Sequence, residues 1–244
     1  MELGLIDFLQ GFFSLLFVLI SFFIGLKIIS RYFQYRKREI ALIGLAWIAI
    51  TSGYIPDAIS FLMIIFLNSP LSEPLYFIIG FAFIPIYFIC SLIGFLDVLH
   101  INKKRFWIIF FSILSIIYEI IFWYLFLNPT ETIGIFIAPF QVEFHPIIDL
   151  FLLIWIGTFF VLGMLFVRET FRSENPEMLL KGKFILIAFL SFIIGQIMEI
   201  LIPLTPLTVV ITRLILISSS IEFYIGLILP ERIKKLLLKE KKFQ

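Results

Sequence analysis

"VVITRLILISSSIEF", residues 209–223, is a stretch that lipid would accept and water would reject, except for Arg213 near its start and Glu222 near its end. A guanidinium stays charged under all ordinary conditions, and a charged group inside a hydrocarbon-soluble helix is expensive. Reading outward from this stretch, similar apolar runs recur along the entire 244-residue chain. With 61% hydrophobic and 18% aromatic residues and a mean hydropathy of +1.12, the chain is excluded from the class of single soluble domains. No stretch is left over for a separate soluble domain, so the expectation is one membrane domain over 1–229 with a basic tail at 230–244.

A helix needs roughly 20 apolar residues to cross the hydrocarbon core. Seven segments reach that length: 3–29, 40–67, 75–99, 106–127, 148–167, 183–202 and 207–229. They are continuously apolar and lack the alternation of barrel strands. The expected class is therefore all-α, a polytopic bundle of seven transmembrane helices.

Charge placement predicts the threading. Basic residues sit between spans one and two (Arg31, Arg36, Lys37, Arg38), three and four (Lys103, Lys104, Arg105), and five and six (Arg168, Arg172, Lys181, Lys183). The tail adds Arg232, Lys234, Lys235, Lys239, Lys241 and Lys242. With Lys27 and Arg213 these account for all 19 Lys and Arg of the chain, and the opposite connections "NSPLSEP", "NPTETIGIFIAPFQVEFHP" and "PLTP" hold none. The positive-inside rule then places the N-terminus outside and the C-terminus in the cytoplasm of a multi-pass cell-membrane protein. The acidic start "MELGLID", the length of the first apolar run and the lack of an A-x-A site argue that span one is retained rather than cleaved as a signal peptide. The single Cys90 has no intrachain disulfide partner.

In "RSENPEMLLKGK", Asn175 is a natural N-cap with Pro176 at the first helical position, so helix six is expected to begin before it enters lipid. The tail "PERIKKLLLKEKKFQ" places Ile233, Leu236 and Leu237 on one side among lysines, the pattern of a short interfacial helix against anionic headgroups. Small residues mark the faces where helices pack, because lipid provides no hydrophobic push between them. Gly4, Gly11, Ser14, Ser21 and Gly25 share one face of span one. Comparable stripes run through Gly80, Tyr87, Ser91 and Gly94, through Ala188, Ser191, Gly195 and Glu199, and through Thr208, Thr212, Ser219, Glu222 and Gly226.

A faint repeat also shows. Spans two, four and six each leave a basic start and carry one carboxylate in their outer half: Asp57, Glu119 and Glu199. Arg213, about 9 Å below the outer end of its helix at 1.5 Å per residue, lies in the same layer. Glu199 is the expected partner because the turn joining spans six and seven is short. One cation facing up to three acids leaves carboxylates to be protonated, hydrated or matched by a bound group. The expected site is a small outward-facing polar cavity lined by Arg213, Glu199, Glu119, Asp57 and Gln196, with Arg213 holding an anionic group and the carboxylates a cationic or hydroxyl group. Gly53 and Pro56 in "TSGYIPDAIS" predict a kink beside Asp57, since proline removes the helix bond to residue 52.

The long connection 128–146 has an apolar centre, "IGIFIAPF", able to fold onto the bundle as a lid, with Glu143, His145 and Asp149 nearby as a weak metal set. Catalysis has no support in the sequence. H-E-x-x-H, G-x-S-x-G and phosphate-loop motifs are absent, Asp57 and Asp97 fall in different leaflets, and span seven has Arg213 where a retinal protein needs a lysine. Basic charge concentrated at one membrane face argues for lipid headgroups rather than nucleic acid, and no cofactor is implied.

The layout of seven helices with the N-terminus outside, and the basic connection "RETFRSENPEMLLKGK", resembles uncharacterised archaeal seven-helix membrane proteins and, more loosely, the seven-helix sensory modules found ahead of histidine kinases. That resemblance implies a non-catalytic sensor or receptor-like module that passes a small-molecule signal to a cytoplasmic signalling partner or a second copy of the chain. The competing expectation is a small-solute or proton-coupled transporter, with Glu222 and Ser218–Ser220 lining an inward route.

Overall fold

The computed structural model describes residues 3–129, 132–203 and 205–238. Lys239, Lys241 and Lys242 of the basic tail lie outside the described residues. Seven helical segments are long and apolar enough to cross a membrane, running Leu5–Tyr35, Arg38–Leu67, Glu73–Val98, Lys104–Leu127, Pro146–Phe171, Pro176–Glu199 and Pro206–Ile228. Several run past the apolar windows read from the sequence. A backbone that has satisfied its hydrogen bonds as a helix in lipid has no reason to unwind where lipid ends.

Spans one, four, five, six and seven are single helices: α1 (Leu5–Tyr35), α6 (Lys104–Leu127), α7 (Pro146–Phe171), α8 (Pro176–Leu201) and α9 (Pro206–Ile228). Spans two and three are broken. Span two is α2 (Arg38–Ala49), a 3-10 turn at Ser52–Tyr54 and α3 (Ile55–Leu67). Span three is α4 (Glu73–Phe77), a π-turn at Ile78–Ala82 and α5 (Ile84–Val98). Each break precedes a proline that lacks an N–H to give to the carbonyl four residues back. Pro56 leaves that of Ser52, which accepts instead from the Ile55 N–H. Pro85 leaves that of Phe81, which accepts from the Tyr118 hydroxyl at 3.2 Å. The two breaks face each other, and a Cβ built on Gly80 would stand 2.8 Å from the ring of Pro56.

Close backbone approach explains the small-residue faces. Gly25 of α1 and Gly44 of α2 meet so tightly that a Cβ on Gly25 would lie 2.8 Å from the Gly44 carbonyl. Ser21 and Ser220 share a 2.7 Å hydrogen bond between α1 and α9. Gly11, Ser14, Ser21 and Gly25 are buried as that face predicts, whereas Gly4 is exposed. The main core is aromatic. Phe88 stacks on Trp155 at 5.7 Å, and Trp47 stacks on Phe223 at 3.8 Å.

One element departs from an all-α class. The apolar centre of the long connection forms a β-hairpin, β1 (Gly134–Ala138) with β2 (Gln141–Phe144), in an antiparallel register that pairs Ile135 with Glu143. Its residues alternate between the bundle and the outside. Phe136 packs on Tyr76 at 4.9 Å and Phe144 on Phe81 at 4.7 Å, while Ile135 and Ile137 point away. The Gln10 side chain donates to the Phe140 carbonyl at 2.8 Å, tying the hairpin to α1. The bundle thus has a hairpin end and, opposite it, a basic end. At the basic end Asn175 caps α8 by accepting from the Glu177 N–H at 2.9 Å, and the described part of the tail forms α10 (Glu231–Leu237). Lys234 of that helix pairs with Glu177 at 2.7 Å.

Candidate functional site

Arg213 is brought into position by the start of its own helix. Thr205 and Thr208 form a reciprocal cap, each hydroxyl accepting from the other's backbone N–H at 3.2 and 2.7 Å. This stiffens the short turn after α8 and sets the two helices face to face. Two turns into α9 the guanidinium is 2% exposed. Its two terminal nitrogens donate to the two carboxylate oxygens of Glu199, at 2.7 and 3.3 Å, the forked geometry that suits a guanidinium and a carboxylate. Its flat face lies 4.5 Å above the centre of the Tyr54 ring.

Tyr54 comes from the 3-10 turn, and its hydroxyl carries the network onward. It donates to Glu199 Oε2 at 2.8 Å and accepts from Gln196 Nε2 at 2.6 Å. Phe17 of α1 packs edge-on against the same ring at 5.1 Å. One turn further along span two, Asp57 is 4% exposed and accepts from the Tyr76 hydroxyl at 2.6 Å. Asp57 is close enough to Arg213 and Glu199 to feel both charges. The structure therefore joins Arg213, Glu199, Gln196 and Asp57 in one layer, contributed by α3, α8 and α9, with Arg213 and Asp57 buried, Glu199 and Gln196 half-buried, and Tyr54 and Tyr76 as the connecting groups.

Glu119 does not join them. It sits on the partly exposed side of α6, where it accepts from the Trp123 indole N–H at 2.9 Å. The repeat placed it at the right depth, but its helix packs against α5 and α7 rather than α9. The layer thus holds one cation and two carboxylates rather than three.

The expected polar cavity around Arg213 also needs correction. Arg213 is 2% exposed, held by Glu199 and Tyr54, and does not line the cavity nearby. That cavity, of about 250 Å³, lies one layer away, between the broken spans two and three on one side and α7 and α8 on the other. Its walls are mostly apolar, including Phe81, Phe88, Trp155, Phe159 and Phe192. Tyr54 and Gln196 are the two network members that reach it, beside Ser52 and Gly53 of the 3-10 turn. The Trp155 indole N–H, on a residue 4% exposed, is buried in that wall with no hydrogen-bond partner among the described residues.

Comparison with protein families, with curated proteins and with solved structures returns no match. The chemistry of the site accordingly rests on its geometry alone.

His145 caps α7, its Nδ1 accepting from the Ile147 N–H at 3.3 Å. Among the described residues no group of three or more His, Cys, Asp or Glu is placed to hold a metal ion. Asp97 at the basic end is an ion-pair centre, bound to Arg38 at 2.9 Å and to Lys104. Sequence reasoning missed Tyr54, Tyr76 and Trp155 as members of the site. The available signal was that each is a polar-tipped aromatic near a helix-breaking proline or within a buried stripe, where its hydroxyl or N–H requires a partner.

Proposed function

We propose that this is a non-catalytic ligand-binding module of the cell membrane, with a sensory role, in which a small molecule in the cavity is read by the buried Arg213–Glu199 network. The observation that carries the reading is that Tyr54 and Gln196 belong to both: they border the cavity, Gln196 donates to the Tyr54 hydroxyl, and that hydroxyl donates to Glu199. An occupant that displaces either side chain alters the partners of a buried ion pair, and such a pair responds strongly because its remaining charge is costly to leave unmatched. Tyr54 also sits in the break of span two, so the same displacement moves a hinge. By the positive-inside rule the basic end faces the cytoplasm, where the connections and α10 offer a surface to a signalling partner or a second copy. The likeness of the layout to seven-helix sensory modules supports the same reading.

The test is direct. Gly53 borders the cavity and a Cβ there would meet nothing within 4 Å, so Gly53→Leu fills cavity space with a side chain. Native mass spectrometry of protein purified in lipid nanodiscs should find a small molecule retained by the natural protein and missing from Gly53→Leu. Identical spectra would defeat the reading.

A carrier is the second reading, and the facing breaks in spans two and three favour it, because discontinuous helices are the usual hinges and binding sites of transporters. Proteoliposome uptake that falls on Glu199→Gln supports it. Absence of flux across a broad metabolite panel returns the balance to the binding module.

A further inference from the structure

We infer that the cavity takes a neutral phenol or aromatic alcohol, not the anion that a neighbouring arginine suggests; this deepens the binding reading above and rests on it. No charged side chain lines the cavity. Arg213 and Glu199, which the Tyr54 hydroxyl and ring contact, are already matched to each other at 2.7 Å. An ion of either sign entering a mostly apolar space would lose its hydration and gain no opposite charge. A neutral molecule loses far less.

Size and wall chemistry define the body of that molecule. About 150 Å³ of apolar cavity is enough to hold benzene. The cavity here is about 250 Å³, room for one ring and a short substituent. Aromatic walls at Phe81, Phe88, Trp155 and Phe192 suit the faces and edges of such a ring.

The polar groups of the wall define its head. Gln196 uses one amide N–H on Tyr54, leaving its carbonyl oxygen as an acceptor. The Trp155 N–H is a buried donor without a partner among the described residues. Tyr87, also in the wall, makes no side-chain hydrogen bond among the described residues. A hydroxyl is the simplest group able both to donate to Gln196 and to accept from Trp155 or Tyr87. A carbonyl can only accept, and a hydrocarbon does neither.

The experiment measures saturable binding to the protein in nanodiscs by equilibrium dialysis, with empty nanodiscs correcting for partition into lipid. The probes are 4-ethylphenol, ethylbenzene, 4-ethylbenzoate and tetramethylammonium. We expect 4-ethylphenol to bind roughly tenfold more tightly than ethylbenzene, the value of about one well-made hydrogen bond, and both ions to show no saturable binding. Gln196→Leu should weaken 4-ethylphenol to the level of ethylbenzene while leaving ethylbenzene unchanged, and Gly53→Leu should abolish both. If 4-ethylphenol and ethylbenzene bind equally, or an ion binds best, with all of it lost in Gly53→Leu, the ligand class is wrong and the cavity remains a binding site. If no probe shows binding that Gly53→Leu removes, the inference and the binding reading beneath it both fall.

Discussion

The molecule has two clusters of opposite charge, one at each end, and they are built from similar parts. At the basic end Asp97 is shared by Arg38 and Lys104, two cations to one acid, and the Arg38 side chain is 70% exposed. In the hairpin half Arg213 faces Glu199 and Asp57, one cation to two acids, and its side chain is 3% exposed. Water and headgroups at the basic end absorb the imbalance, so charge there affects threading more than stability. In the hairpin half Arg213 and Asp57 are buried and depend on their neighbours, while Glu199, its side chain 25% exposed, keeps partial access to the surroundings. The lesson is that Arg213 and Asp57 couple to what sits beside them because they are buried, not because they are charged.

Breaking that contrast at its strongest point gives the largest expected effect. Arg213→Leu should lower stability by about 3–5 kcal/mol, since it leaves Glu199 and Asp57 without their cation. Thermal unfolding in detergent, followed by tryptophan fluorescence, would measure it. The double variant Arg213→Leu with Glu199→Leu should be less damaging than Arg213→Leu alone, as apolar replacements of a whole buried pair often are. A double-mutant cycle in which the two losses simply add would show that the pair is not coupled. Tyr76→Phe removes one hydrogen bond from a buried carboxylate and should cost about 1–3 kcal/mol in the same assay. At the basic end, Arg38→Ala should cost less than about 1 kcal/mol and lose even that at high salt.

Smallest is the effect of pH on the tail. Pairing with Glu177 raises the Lys234 ammonium above its ordinary value of 10.5. Its contribution is therefore fully present below that value and fades as pH climbs through the raised one. Hydrogen exchange in α10 should quicken beyond its intrinsic pH dependence only in strongly alkaline solution, and Lys234→Ala should remove that extra step.

Much of the architecture was legible because lipid permits so few solutions. Apolar length marks helices, basic residues mark the ends of spans, and Pro56 marks the break in span two. Arg213 and Glu199 could be paired on paper because the turn between their helices is short and both face inward at matching depth. Three features resisted. The π-turn of span three depends on Pro85, whose effect falls on Phe81, a residue with no signal of its own until Tyr118 is seen to satisfy its carbonyl. The β-hairpin has the alternation of a strand pair, but an eight-residue apolar stretch beside a membrane reads as a loop folded onto the bundle as a lid. Glu119 matched Asp57 and Glu199 in depth, yet periodicity gives only the face of a residue on its own helix and not which helix lies opposite. The cavity was misplaced for a related reason: empty space is a property of how bulky side chains meet, and no single stretch of sequence encodes it.

The order of manufacture adds a consequence. Ribosomes deliver Asp57 first, then Glu199 and, 14 residues later, Arg213, so Asp57 is made long before its counterion is translated. Of the three charges in this layer Arg213 is made last, so the ion pair that ties α8 to α9 closes only once the seventh span has been delivered.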